Sequence, residues 1–181
     1  KDWYFAHAAL ADNVSHVSDY RNGREETGSV MVREMPFKAV IDDWSWSAKK
    51  STDGDLFPAV LQFGGKPVST LKQGLASDSW AVSLRLNNSE PYYLQGKDGF
   101  SSKHPTQNIA SHYYSQPFIQ VKGQVFWQGR WQMVTGNAWF DREWGSKMLA
   151  QDQHGWDWFS LRLNENQALM VYQIRSDIEE H

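Results

Sequence analysis

The densest group of residues able to do chemistry is Gly136-Asn137-Ala138-Trp139-Phe140-Asp141-Arg142-Glu143-Trp144-Gly145-Ser146. Asp141 and Glu143 stand two residues apart, so a strand would turn both carboxyls to one side. Trp139, Phe140, Trp144, Trp156 and Trp158 lie close by in sequence. A carboxyl walled by aromatic rings loses solvation and becomes a proton donor near neutral pH. The plainer reading is a wet surface on which Arg142 pairs with its two acidic neighbours. A second group is Ala110-Ser111-His112-Tyr113-Tyr114-Ser115. On a strand, His112 and Tyr114 face one side while Tyr113 and Ser115 face the other, and a histidine among tyrosines also fits a hydrogen-bonded structural role. His7 and Asp12 form a weaker pair. His16 and His104 fall in expected loops and are read as solvated.

Several chemistries find no support. The chain has no cysteine, so no thiolate nucleophile, disulfide framework or cysteine zinc site. No H-x-H or H-E-x-x-H spacing occurs, and neither a G-x-S-x-G elbow nor a glycine-rich phosphate loop is present. A metal or organic cofactor is therefore not expected. A formal net charge of −3 without any Lys/Arg cluster speaks against nucleic acid as a partner. No apolar run is long enough for a membrane-spanning helix.

The elements that must position these residues read as strands. Turn signals recur at Asn22-Gly23, Asp53-Gly54, Gly64-Gly65, Asn87-Asn88, Asp98-Gly99, Gly129 and Asn164 to Asn166. Between them lie short alternating or aromatic runs: 28–32, 37–41, 79–86, 118–121, 124–127, 131–134 and 169–174. The cleanest is Ser79 to Leu86, with Trp80, Val82, Leu84 and Leu86 on one side. The best helical candidate, Arg142 to Ala150, is a short turn at most. Ten Trp and an aromatic content of 14 % call for a Trp-rich β core or a large apolar cavity. The chain of 181 residues is thus read as all-β, of sandwich or barrel type. Residues 78–87 and 155–164 echo one another through Trp and then Ser-Leu-Arg-Leu-Asn, which duplication of a β unit would explain. The unit boundary is then expected between Gln95 and Asn108, giving units 1–108 and 109–181.

The 136–146 segment, the run Gly155-Trp156-Asp157-Trp158-Phe159-Ser160-Leu161, the 110–115 segment, Leu94-Gln95-Gly96-Lys97 and Phe5 to Asp12 together resemble a known family. It is the lipocalin-like family of carotenoid 1,2-hydratase (hydroxyneurosporene synthase) and of attachment-related proteins described as secreted hydrolases. The resemblance implies lipocalin-like antiparallel β-barrel (calyx) units in tandem, in a protein about twice this length. The chain would then lack the opening strands of the first unit and the latter part of the second. The hydratases' His-x-Trp and Tyr-x-Asp pairs correspond to His112-x-Tyr114 and Trp139-x-Asp141, with the aromatics exchanged in kind. The implied catalytic set is Asp141, His112, Trp139 and Tyr114, with Glu143, Trp144, Trp156, Trp158 and His7 lining the substrate site. The resemblance also implies a periplasmic or secreted location, with membrane association through a leader.

Hydrating an isolated double bond requires protonating carbon. Asp141 would supply the proton, aromatic faces would stabilise the cation, and His112 would orient Asp141 or activate water. The leading expectation is therefore a hydratase or hydrolase-like enzyme acting on a long apolar isoprenoid or lipid. A non-catalytic lipid carrier, with Asp141 and His112 as a polar network, is the alternative. A third is that Asp141, Arg142 and Glu143 merely lock two barrels together. The enzyme reading needs Asp141 within hydrogen-bond reach of His112 and open to a cavity.

Overall fold

The computed structural model describes residues 2–49, 55–65, 79–88 and 91–177, so the turn expected at Asp53-Gly54 lies outside the described residues. Apart from one 3-10 turn at Glu25–Thr27, every regular element described is a strand. In chain order these are β1 (Tyr4–Ala11), β2 (His16–Gly23), β3 (Val30–Arg33), β4 (Lys38–Ile41), β5 (Trp44–Ala48), β6 (Ala59–Gly64), β7 (Ala81–Asn87), β8 (Tyr93–Leu94), β9 (Phe100–Ser102), β10 (Ala110–Trp127), β11 (Arg130–Trp144), β12 (Gln153–Arg162) and β13 (Ala168–Ser176). The all-β expectation holds, and the main sheet curls into a half-barrel of the lipocalin-like kind. Two compact units divide the chain: unit 1 is Lys1–Asn88 with Gln120–Gly136, and unit 2 is Ser89–Ile119 with Asn137–His181. Strands β10 and β11 run through both.

In unit 1, β1 and β2 form a hairpin in register from Tyr4↔Gly23 to Ala11↔His16. Asp12 closes it by accepting the amide protons of Val14 at 2.8 Å and Ser15 at 2.7 Å. Asn22-Gly23, read as a turn, instead ends β2, because both residues pair with the start of β1. The inward residues Tyr4, Ala6 and Ala8 pack on Val30, Ile41 and Trp44. Burying a side chain such as Trp44 stabilises the fold by roughly 2–3 kcal/mol. The remaining strands of the unit run antiparallel in the order β11-β10-β7-β6-β5-β4-β3. Ala81, fully enclosed, meets Phe126 at the centre of that sheet.

The runs 118–121 and 124–127 are not two strands but parts of one 18-residue strand, β10. Gly123, which reads as a break, sits mid-strand because a Cβ there would lie 2.1 Å from the Ser83 carbonyl oxygen of β7. Its role is close approach rather than turning. The reversal into β11 comes at Gln128 and Gly129, with φ of 51° and 80°. Two successive left-handed residues match the twist of a tight hairpin.

Within unit 2, β8 and β9 pair with the first half of β10, through Tyr114↔Leu94 and His112↔Phe100 among others. Asp98 and Gly99 form the expected tight turn, with φ of 53° and 86° and reciprocal backbone bonds between Lys97 and Phe100. Strands β12 and β13 make a separate ladder, with Phe159 opposite Val171 and Leu161 opposite Leu169. The turn at Asn164 to Asn166 closes it, Leu163 N donating to Gln167 O. All four of those apolar residues are exposed. The segment Arg142 to Ala150 contains no helical turn: Arg142, Glu143 and Trp144 complete β11.

Candidate functional site

Alternation along β10 and β11 sorts the chemistry-bearing residues of unit 2 onto two faces. On β10, Ser111, Tyr113 and Ser115 are buried, whereas His112 is exposed and Tyr114 half-buried. On β11, Trp139, Asp141 and Glu143 alternate with Phe140, Arg142 and Trp144. The contacts follow this sorting. Asp141 Oδ1 accepts from Ser115 Oγ at 2.5 Å and from Trp139 Nε1 at 2.9 Å. Gln95 Nε2 donates to the same Ser115 hydroxyl at 3.0 Å. The Tyr113 phenol oxygen accepts from Trp158 Nε1 at 3.2 Å and feels the charge of Asp141. Burial is the largest influence on that phenol. With the added Asp141 charge, and against a lowering by the Trp158 bond, it pushes the pKa up to about 12.

On the other face, His112 stacks on Trp144 at 5.5 Å and meets the edge of Phe100 at 6.2 Å. Tyr114 packs against Trp144, Phe140 and Tyr92. His112 thus shares a face with Tyr114, and Trp139 with Asp141, but the two pairs do not converge. Asp141 is held by Ser115 and Trp139, not by His112.

A second polar cluster, absent from the sequence-based expectations, adjoins the first. Lys103 is 8 % exposed, and its Nζ lies 2.5 Å from Glu143 Oε1 and 3.1 Å from Ser101 Oγ. The same ammonium stands over the rings of Tyr172 at 4.8 Å and Tyr113 at 5.3 Å. Ser111 Oγ donates to Glu143 Oε1 at 2.5 Å, and the Tyr172 hydroxyl bonds Ser101 Oγ at 3.0 Å. This cluster floors a cavity of about 200 Å³ walled by Met148, Leu149, Trp156, Trp158 and Ile174. Glu143, Trp156 and Trp158, expected at a substrate site, line this cavity, whereas Trp144 stays with His112. The Ser111-x-Tyr113-x-Ser115 alternation carried the signal for the buried face of β10. Lys103, within Ser101-Ser102-Lys103-His104, gave none.

His104 corrects an expectation: it is buried rather than solvated. Its Nδ1 accepts the amide protons of Thr106 and Gln107, so Nε2 carries the proton and donates to Asp152 at 3.1 Å. That bond is the main cause holding the Asp152 carboxyl below its ordinary pKa. His16 is exposed, as read, although it opens β2 rather than lying in a loop. Among the described residues no group of three or more His, Asp or Glu side chains is arranged to hold a metal ion.

Unit 1 holds a larger, mostly apolar cavity of about 420 Å³. Val30, Ile41, Trp44, Trp46, Leu61 and Phe63 are among its walls, with Ala39 on β4 and His7 on β1. His7 lies beside Tyr20, ring centres 6.1 Å apart.

Comparison with known proteins now bears on these sites. The family model described as AttH-like matches residues 1–181. The chain belongs to the AttH-like family. Within solved structures it is similar to a crystal structure of a candidate AttH from Nitrosomonas europaea, with 33 % identity and a TM-score of 0.76. That match covers 97 % of this chain and 50 % of the other, so this AttH-like chain spans about half the length of its solved relative. No curated protein matches it.

Proposed function

We infer that this AttH-like protein binds an apolar small molecule of the lipid or isoprenoid class and holds it unchanged. The observation that carries the reading is the unit 1 cavity. Its volume lies within the roughly 300–1,000 Å³ of small-molecule sites, and apolar and aromatic side chains form most of its wall. Transfer of a chain or ring from water into such a cavity is favoured by about 25 cal/mol per Å² of apolar surface covered. The acid required of a hydratase would be open to a cavity and held by His112. Asp141 instead accepts hydrogen bonds from Ser115 and Trp139, and His112 points to the opposite face.

A second reading, acid-catalysed addition of water, has one observation in its favour. Tyr113 lines the unit 2 cavity and its phenol feels the charge of Asp141, so proton transfer between the two is the step this reading requires.

One experiment separates the two readings. Organic extracts of the wild type and of Asp141→Asn are compared by mass spectrometry. The same unmodified lipid from both is the result expected of a carrier. Parent lipid from the variant, with a species heavier by one water from the wild type, would overturn the carrier and establish the enzyme. Farnesol uptake gives an independent check. Ala39→Phe, which fills the unit 1 cavity, should weaken binding by tenfold or so, the equivalent of about 1.4 kcal/mol. Unchanged uptake by that variant would remove the unit 1 cavity from the reading.

A further inference from the structure

The cavity in unit 2 differs from that in unit 1 in having a charged floor. Lys103 and Glu143 form an ion pair in its lining, with the Lys103 side chain 7 % and the Glu143 side chain 33 % exposed, so the ammonium is desolvated and the carboxylate only partly so. Two of the three Lys103 ammonium protons are accounted for by Glu143 and Ser101. The Ser111 and Lys103 contacts both fall on Glu143 Oε1, so Oε2 is engaged by neither. The pair therefore offers Glu143 Oε2 as an acceptor and a third ammonium N–H, otherwise facing only the rings of Tyr172 and Tyr113, with no net charge. The cavity, at about 200 Å³, is of the size that takes one ring and a short substituent, since an engineered cavity of about 150 Å³ holds benzene.

We propose that this cavity is a second ligand site, for a neutral ring-sized molecule bearing a hydroxyl group that bridges Lys103 Nζ and Glu143 Oε2. One hydroxyl oxygen accepts from the ammonium and donates to the carboxylate, satisfying both ends of the pair at once. An anionic head is repelled by Glu143 and a cationic head by Lys103. A bare hydrocarbon fills the space between Trp156, Trp158 and Ile174 but leaves both polar ends unmet. The site stands apart from the unit 1 cavity, so the reading of one does not depend on the other.

Four probes share a ring and differ in the head: benzyl alcohol, benzoate, benzylammonium and toluene. Each is titrated into the intact chain while the indole N–H resonances of Trp156 and Trp158 are followed, assigned through Trp156→Phe and Trp158→Phe. Benzyl alcohol should shift them saturably, with the other three binding at least about tenfold more weakly. Equal affinities, a preference for either charged head, or no saturation with the alcohol would overturn the proposal. Glu143→Gln should strengthen benzoate binding by about tenfold, because it removes the repelling charge and keeps the acceptor. A pair that only braces the fold would leave the order of the probes unaltered in that variant. Met148→Trp, which fills the cavity without touching the pair, should abolish the shifts for every probe. Persistence of the benzyl alcohol shifts in that variant would place the binding elsewhere and overturn the proposal.

Discussion

At Tyr113, burial and the neighbouring Asp141 charge act in the same direction, and the phenol keeps its proton up to about pH 12. An unfolded tyrosine releases its proton near pH 10, so between pH 10 and pH 12 the folded chain holds a proton that the unfolded chain has lost. Stability should therefore fall as pH rises through that interval, and denaturant melts of Tyr113→Phe should show a shallower fall. Identical alkaline slopes would refute it. His104 acts at the other end of the pH scale. His104→Ala leaves the Thr106 and Gln107 amides without their acceptor, which should cost about 1–3 kcal/mol in a denaturant melt. Because His104 lowers the Asp152 pKa, its contribution is present above the ordinary carboxylate value and is lost as pH falls through the Asp152 pKa. The variant should show a correspondingly weaker acid dependence. Neither role was legible in the sequence. A histidine within Lys-His-Pro-Thr carries no periodicity, and its burial comes from partners as far away as Asp152.

Strand β10 shows how alternation decides which chemistry can occur. One residue of offset separates Tyr113, influenced by the Asp141 charge, from His112, stacked on Trp144. Asp141→Asn should lower the Tyr113 titration midpoint in an ultraviolet absorbance titration, since a neighbouring negative charge is removed. His112→Ala should leave that midpoint where it is, and a shift on His112→Ala would show that the two faces communicate. The facing of these residues was readable because a strand has a strict period of two. What was not readable was that His112 and Asp141 belong to opposite faces, since that depends on how β10 and β11 align. The echo between residues 78–87 and 155–164 teaches a related lesson. Val82 and Leu86 are buried in β7, which has β6 and β10 on its two sides. Their counterparts Phe159 and Leu163 are exposed, Phe159 on a β12 that among the described residues pairs only with β13, and Leu163 just beyond it. Similar patterns give strands in both places, but the number of neighbours sets the burial. The reading of Lys122-Gly123 as a gap between strands failed for the converse reason, that the partner strand requires a glycine at that point.

At the scale of the whole chain, the attachment-related side of the family resemblance and the strand-rich architecture were both anticipated, because motifs, aromatic runs and turn residues are local signals. A large apolar cavity was one of the two expectations raised by the Trp content, but the walls of the two cavities were not readable, because they are assembled from segments distant in sequence: Ala39, Trp44 and Leu61 in unit 1, and Lys103, Glu143 and Tyr172 in unit 2. The β12–β13 ladder has a consequence for handling the protein in solution. Phe159, Leu161, Leu169 and Val171 form a cross-strand block of apolar side chains in contact with water. Two strands alone are marginally stable, and such a block is adhesive. Colloidal behaviour should therefore be set by this hairpin rather than by the modest net charge. Phe159→Lys should delay the onset of turbidity on concentrating the protein, whereas the same change at Val14, in the polar β1–β2 turn, should have no effect.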